Sequence, residues 1–335
     1  KYGSSGRIRI RATGKVGDAT RSIIADLKQQ GFIDFLYFTD YEVQDPAVFG
    51  ALTDRDCFTD ATKTTIAHSW EGRKTGSTCR EIAFGAFDTI DGPVHTNDTL
   101  RACGTVFKGT VTSGYLTSPH YTAKDANGNT CTAPTFGVAG PPTYGGSLPM
   151  PATNAELKKE TRTDLTLDVP RPGCLYTGPT QITFNADGTM NVKSPFSKKT
   201  RIGDAAASAT NASSPSDCGT PSQLQSPAGA TIPVPENNVI YVQNVPAVTT
   251  DANYWSDSAT PTSFTCTANV GWSLGSSGAG NLSGYPMAGE YQTTTTTPYG
   301  CRTGDVFVKG TFNGAATVAA ENYIFVVGDV KYVDG

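Results

Sequence analysis

Residues 304–333 read GDVFVKGTFNGAATVAAENYIFVVGDVKYV. Four runs, VFVKGTF at 306–312, ATVAA at 316–320, YIFVV at 323–327 and VKYV at 330–333, are parted by NG, EN and GD. Val, Ile, Phe and Tyr fill the runs, the side chains that suit a pleated, half-buried surface. Short strands separated by one- or two-residue turns are what this patterning predicts. Asn313-Gly314 fits a tight hairpin turn and fits a corner between solenoid rungs equally well.

The rest of the chain points the same way. Of 335 residues, 17% are charged and 37% hydrophobic, with 36 Gly and 21 Pro, a balance that suits a loop-rich β protein over a helical one. The fold class expected is mainly β: a solenoid or β-helix-like core of many short strands, long disulfide-stapled loops, and a small strand-helix-strand layer at the N-terminus. The expected domains are that layer at 1–50 and a β-rich domain at 51–335. Loop insertions are expected near 118–172, 200–232 and 249–300. A net charge of −4 gives nucleic acid no electrostatic reason to bind. No apolar run approaches the length of a membrane span. The polar start, with no signal peptide, and the end just after a strand read as a mature or trimmed fragment.

Within the N-terminal layer, Arg7-Ile8-Arg9-Ile10-Arg11 alternates as a strand, its arginines a solvated face, and Gly14 and Gly17 are expected to break it. Asp18 stands where a helix N-cap would. Ile23, Ile24 and Leu27 then share a face before Gly31, which predicts a helix of about three turns. Residues 32–38, FIDFLYF, predict a buried strand.

Further on, residues 82–113 carry the cadence of successive solenoid rungs. Residues 155–159 predict one helical turn, 182–192 (ITFNADGTMNV) a hairpin turning at Asp187-Gly188, and 239–245 (VIYVQNV) a buried strand. Residues 249–297, rich in Thr, Ser and Gly, read as a decoration loop.

Eight cysteines, Cys57, Cys79, Cys103, Cys131, Cys174, Cys218, Cys266 and Cys301, include no pair at CxxC spacing. Zinc sites supply close pairs, so the set argues against metal and for four disulfides formed in an oxidising, extracellular compartment. The sequential pairing 57–79, 103–131, 174–218 and 266–301 is favoured because each bond brackets a Gly/Ser/Thr-rich loop.

Catalytic signals are sparse. His95 in GPVHTND stands three residues before Asp98, a base-and-orienter spacing, yet no activated serine or free cysteine accompanies it, and a hydrogen-bonded turn histidine is the stronger reading. His68 and His120 have less around them. Asp40, Glu42 and Asp45, and likewise Asp54, Asp56 and Asp60, could form a glycosidase pair or give oxygen ligands to calcium, the one cofactor left open; their spacing is ordinary for a surface loop. Asp125, Asn127 and Asn129 alternate like an EF-hand start, but glycine falls too early and no glutamate closes the loop. Trp70, Trp255 and Trp272, with Tyr254, are candidate sugar-stacking residues, with loop anchoring the stronger reading. The threonines at 293–297 read as an O-glycosylation site or an edge strand.

Six phrases occur in order: TRSIIADLKQQGFIDFLYFTDYEVQDP (20–46), IDGPVHTNDTLRACGTVFKGTVTS (90–113), LPMPATNAELK (148–158), GCLYTGPTQITFNADGTMNVKSP (173–195), VPENNVIYVQNVP (234–246) and the closing block at 304–333. Together they resemble the secreted portion of the large pilin-like surface proteins of actinobacteria that carry a PilX-type N-terminus. That resemblance implies an apolar type IV pilin helix ahead of this region, an envelope location and a structural or adhesive role. It transfers no catalytic residue. The expected function is an extracellular surface or pilus-associated structural protein without catalytic activity, whose partners are other envelope or pilus proteins, surface glycans or further copies of itself. The alternative is a carbohydrate-binding or carbohydrate-active β-helix, marked by two carboxylates in a groove beside tryptophans.

Overall fold

The structure, a computed structural model, describes residues 7–28, 34–43, 81–137, 140–150, 154–203, 213–275, 283–292 and 300–333. Cys57, Cys79, Trp70, His68, Asp45, Asp54, Asp56, Asp60 and the threonines at 293–297 lie outside them. The chain divides into two compact units, Lys1–Met150 and Pro151–Gly335, where the sequence suggested a boundary near residue 50.

In the first unit β1 (Arg7–Val16) and β2 (Ala19–Lys28) form an antiparallel pair. The helix expected after Asp18 is therefore a strand, and Gly14 lies within β1 instead of ending it. Gly17 and Asp18 form a two-residue turn, with Val16 opposite Ala19 and Gly17 at φ +57°, a conformation glycine adopts without strain. Thr20, Ile23 and Ile24 are β-branched and lose side-chain freedom in a helix, so the alternating β1 beside them tips the segment into a ladder.

Nine short strands follow: β3 (Tyr37–Thr39), β4 (Thr89–Ile90), β5 (Val94–Thr96), β6 (Leu100–Arg101), β7 (Val106–Phe107), β8 (Val111–Ser113), β9 (Tyr121–Thr122), β10 (Thr135–Phe136) and β11 (Thr143–Tyr144). The apolar strand expected at 32–38 is shorter than its composition suggests, since only Tyr37 onward is strand among its described residues. β3, β5, β8 and β11 stack in parallel, as do β4, β7 and β10, and β6 with β9. Successive passes of the chain thus lie beside one another. At Gly109 the passes come so close that a Cβ would stand 2.2 Å from the Gly92 carbonyl oxygen. Phe84, Val94, Leu100, Ala102, Phe107 and Val111 are the buried core. The Phe107 ring stacks on Phe136 at 5.4 Å and meets Phe84 edge-on at 5.3 Å.

The second unit opens with a 3-10 helix, Ala155–Thr161, where one helical turn was expected. Its strands are β12 (Cys174–Thr177), β13 (Thr180–Phe184), β14 (Thr189–Lys193), β15 (Ala230–Pro233), β16 (Asn238–Gln243), β17 (Phe264–Thr267), β18 (Gly271–Leu274), β19 (Gly284–Tyr285), β20 (Val306–Phe312), β21 (Ala316–Ala320) and β22 (Ile324–Tyr332). β12, β16 and β21 form one parallel sheet. A second has the order β15-β14-β13-β20-β22, in which β13, β20 and β22 run parallel and β14 is antiparallel to both its neighbours.

The expected β13–β14 hairpin is present, turning at Gly188 with φ +83°. Asn313-Gly314 makes no hairpin: β20 pairs with β13 and β22, and β21 pairs with β16, so this turn carries the chain from one sheet to the other. The last two runs read from the sequence are one strand, β22, and its pairing with β20 shifts register between Val308 and Gly310. The span read as a decoration loop contains an antiparallel sheet, β17-β18-β19.

Alternation along β13 and β20 sorts two cores. Ile182, Phe184, Val306, Val308 and Phe312 join Met190, Val192 and Ile240 on one side. Phe307 faces the other, with Trp272, Phe196 and Phe264. Three of the four expected disulfides are present, Cys103–Cys131, Cys174–Cys218 and Cys266–Cys301, and they suit an oxidising compartment. Among the described residues no helix is long and apolar enough to cross a membrane.

Candidate functional site

The densest set of buried polar groups in the first unit surrounds β3, β5 and β8. Register places Phe38, His95 and Thr112 side by side, with Thr39, Thr96 and Ser113 in the next row. His95 is 1% exposed; its ring stacks on Phe38 with centroids 5.6 Å apart. Its Nδ1 lies 2.8 Å from Thr112 Oγ1 and its Nε2 lies 3.2 Å from Asn97 Oδ1. Burial lowers the His95 pKa below its ordinary value, while the Asn97 contact works in the opposite direction.

Asp98 is buried and does not orient this histidine. Its carboxylate accepts the Glu42 N–H at 2.8 Å and the Thr99 N–H at 2.7 Å. His95 and Asp98 are therefore two separate structural pins, and the base-and-orienter alternative raised by their spacing has no hydrogen bond between the two side chains. Sequence spacing could not foresee this, because residues three apart on a turn leaving a strand point to different neighbours.

Glu42, also 1% exposed, accepts hydrogen bonds from the Thr39 hydroxyl and from Tyr37 OH at 3.2 Å. Burial raises its pKa; hydrogen bonds from Thr39 and Thr96 oppose the rise, and the Asp98 charge adds to it. Asp40 accepts the Asn97 Nδ2 donor at 2.8 Å. Asp40 and Glu42 thus enter one cluster, in which the Glu42 carboxylate is buried and already bonded.

Asn97 is the member that residue-type reasoning passed over. Its side chain gives Nδ2 to the Leu148 carbonyl at 2.7 Å and takes the Leu148 N–H on Oδ1 at 2.8 Å. One side chain therefore ties three passes of the chain: β3's exit, β5's exit and residue 148. Its phrase, VHTND, was legible, but the partners 51 to 57 residues away were not.

The other candidates are also occupied. Asp125 accepts the Asn127 and Asn129 N–H groups at 2.9 and 2.8 Å, closing its own turn instead of presenting ligands. No group of three or more His, Cys, Asp or Glu side chains suited to a metal ion occurs among the described residues. Trp272 is 2% exposed in the aromatic core, so it offers no face to a sugar. Trp255 donates its indole N–H to the Phe196 carbonyl at 2.8 Å, and Lys198 Nζ covers its ring at 4.3 Å. Trp255 thus anchors its loop, and Trp272 is a core residue of β18.

The second unit has a cleft of about 460 Å³ with walls that include Pro170, Pro172, Pro233 and Pro235. Its Arg201 is committed: Nη2 pairs with Asp217 at 2.7 Å and Nε donates to the Gly173 carbonyl. Its one cysteine, Cys174, is oxidised in a disulfide, so the cleft contains no thiol nucleophile. Of the cleft residues, Cys174 was singled out from the sequence, as a disulfide partner, and no motif marked the cleft itself.

Family models, curated proteins and solved structures were all compared with this chain, and none of them matches it.

Proposed function

We propose that this chain is an extracellular, non-catalytic module of a cell surface or pilus-type assembly, built on short solenoid-like stacks that hold polar loops outward. The observation that carries this reading is the use made of the polar side chains. His95, Asn97 and Asp98 spend hydrogen bonds on neighbouring passes of the chain, and the buried Glu42 carboxylate spends its own on Tyr37 and Thr39 just before it, as a rigid scaffold requires. The parallel series β3-β5-β8-β11 and β4-β7-β10, each in chain order, supports winding into rungs. Three disulfides support a role outside the reducing cytoplasm.

The test is protease shaving of intact cells that carry the native protein, followed by mass spectrometry of the released peptides. Release of peptides from residues 34–333 without lysis is expected, and their recovery only after lysis overturns the reading. A glycan array run on the same protein separates adhesion from catalysis: retention of an intact glycan fits the proposal, and its cleavage overturns the non-catalytic claim.

A further inference from the structure

Beside the aromatic core of the second unit lies a set of polar groups that the scaffold reading does not use. Gln181 on β13 and Lys193 on β14 are direct partners in the antiparallel ladder. Their neighbours Ile182 and Val192 point into the aliphatic core, so this pair faces the opposite side. Both are buried, at 1% and 9% exposure, and Glu290, from the segment after β19, is 8% exposed. Lys193 Nζ stands 3.2 Å from Gln181 Oε1, and Gln181 Nε2 stands 3.4 Å from Glu290 Oε1. Lys309 Nζ holds that same Glu290 oxygen at 2.6 Å, and the other carboxylate oxygen accepts the Met287 N–H at 2.7 Å. An amine, a primary amide and a carboxylate touching the amide nitrogen are thus enclosed together, in the order an amide exchange needs.

We propose that Lys193 and Gln181 are the site of an intramolecular isopeptide cross-link, formed within the folded chain with Glu290 as the proton carrier. Lys193 Nζ, as the free amine, attacks Gln181 Cδ and forms the new C–N bond. Glu290 takes a proton from Nζ and returns one to Nε2. The Cδ–Nε2 bond then breaks and ammonia leaves, so no oxidant or other co-reactant is consumed. Burial lowers the Lys193 pKa and the Lys309 charge lowers it further, against the pull of Glu290, which favours the free-amine form that the attack requires. Fixing both partners in one ladder register removes the entropy of bringing them together.

The decisive measurement is the intact mass of the reduced full chain, followed by tryptic mapping. A deficit of about 17 Da, one ammonia, is expected, together with a branched peptide joining Gln181 to Lys193 and no cleavage after Lys193. The conservative Lys193→Arg should restore the full mass, and Glu290→Gln, which keeps both reacting groups, should leave most of the chain uncross-linked. A wild-type mass with no deficit, or a deficit that survives Lys193→Arg, overturns the proposal. The wild-type measurement decides it even if a variant fails to fold.

Discussion

The two units stack parallel strands by different means. In the first, parallel strands of two or three residues enclose a core of six buried apolar residues among the described residues, and polar pins around His95, Asn97 and Glu42 tie the passes together. In the second, strands of up to seven residues enclose seventeen buried residues in the larger core alone among the described residues, and a separate aromatic core lies on the other face of β20. There Phe307 stacks between Tyr285 at 4.5 Å and Phe325 at 5.0 Å. Strand length explains the difference. A two-residue strand turns one side chain inward per pass, too little apolar area to offset the ordering of its own loops. Directional hydrogen bonds supply the register that packing supplies in the longer strands.

The first way to break the contrast is at the aromatic stack. Phe307→Ala should destabilise the second unit by about 3–5 kcal/mol, read from its denaturant midpoint, because it removes the central ring and leaves a cavity. If the first unit melts separately, its transition should not move. Next, replacing Cys174 and Cys218 by serine releases a bridge with a sequence separation of 44. The chain-entropy account puts that loss at about 4 kcal/mol, slightly more than for Cys103–Cys131, whose separation is 28. Equal losses in the two units would show that strain or residual structure, and not loop length, sets the value.

Smaller effects sharpen the polar side of the comparison. Gly109→Ala forces a methyl into the Gly92 carbonyl and should cost about 3 kcal/mol, with the loss confined to the first unit. Asn97→Ala leaves the Leu148 peptide groups unpaired for about 2 kcal/mol, and faster hydrogen exchange at the Leu148 amide would locate the loss.

The gentlest probe is pH. The folded state holds the Glu42 proton more tightly than the unfolded chain, so Glu42 adds stability at low pH and loses it as pH rises from about 4.5 through the raised folded value. His95 acts oppositely: its folded pKa lies below 6.5, so its contribution is present above 6.5 and is lost as pH falls toward the folded value. Glu42→Gln should flatten the first slope and leave the second. Thermal melts across pH 4 to 7 would read both, and an unchanged profile in the variant would remove Glu42 from the account.

Some of this was readable from the chain and some was not. The Asp187-Gly188 hairpin, the buried strand after Asn237, the 3-10 turn at Ala155 and three disulfide partners follow from local signals: a glycine with positive φ, a run of β-branched residues, a helix-favouring ELKK, and isolated cysteines bracketing loops. The helix expected after Asp18 failed because Ile23, Ile24 and Leu27 satisfy helical spacing while Thr20, Ile23 and Ile24 are β-branched and also suit a strand, and pairing with β1 outweighs so weak a local preference. Spacing is an equally weak guide to partners at the candidate site. His95 and Asp98 are neighbours in sequence, but their hydrogen bonds go to Thr112, Asn97, Glu42 and Thr99.

By itself, the sequence determined that the protein is mainly β, rich in short strands, and stapled by disulfides, because turn chemistry, strand propensity and cysteine spacing act over a few residues. Only the tertiary structure decided which strands lie side by side, that Asn313-Gly314 passes between sheets, and that Gln181 meets both Lys193 and Glu290. The two Gln181 contacts join residues 12 and 109 positions apart, where the free energy resides in burial and pairing that no local pattern records.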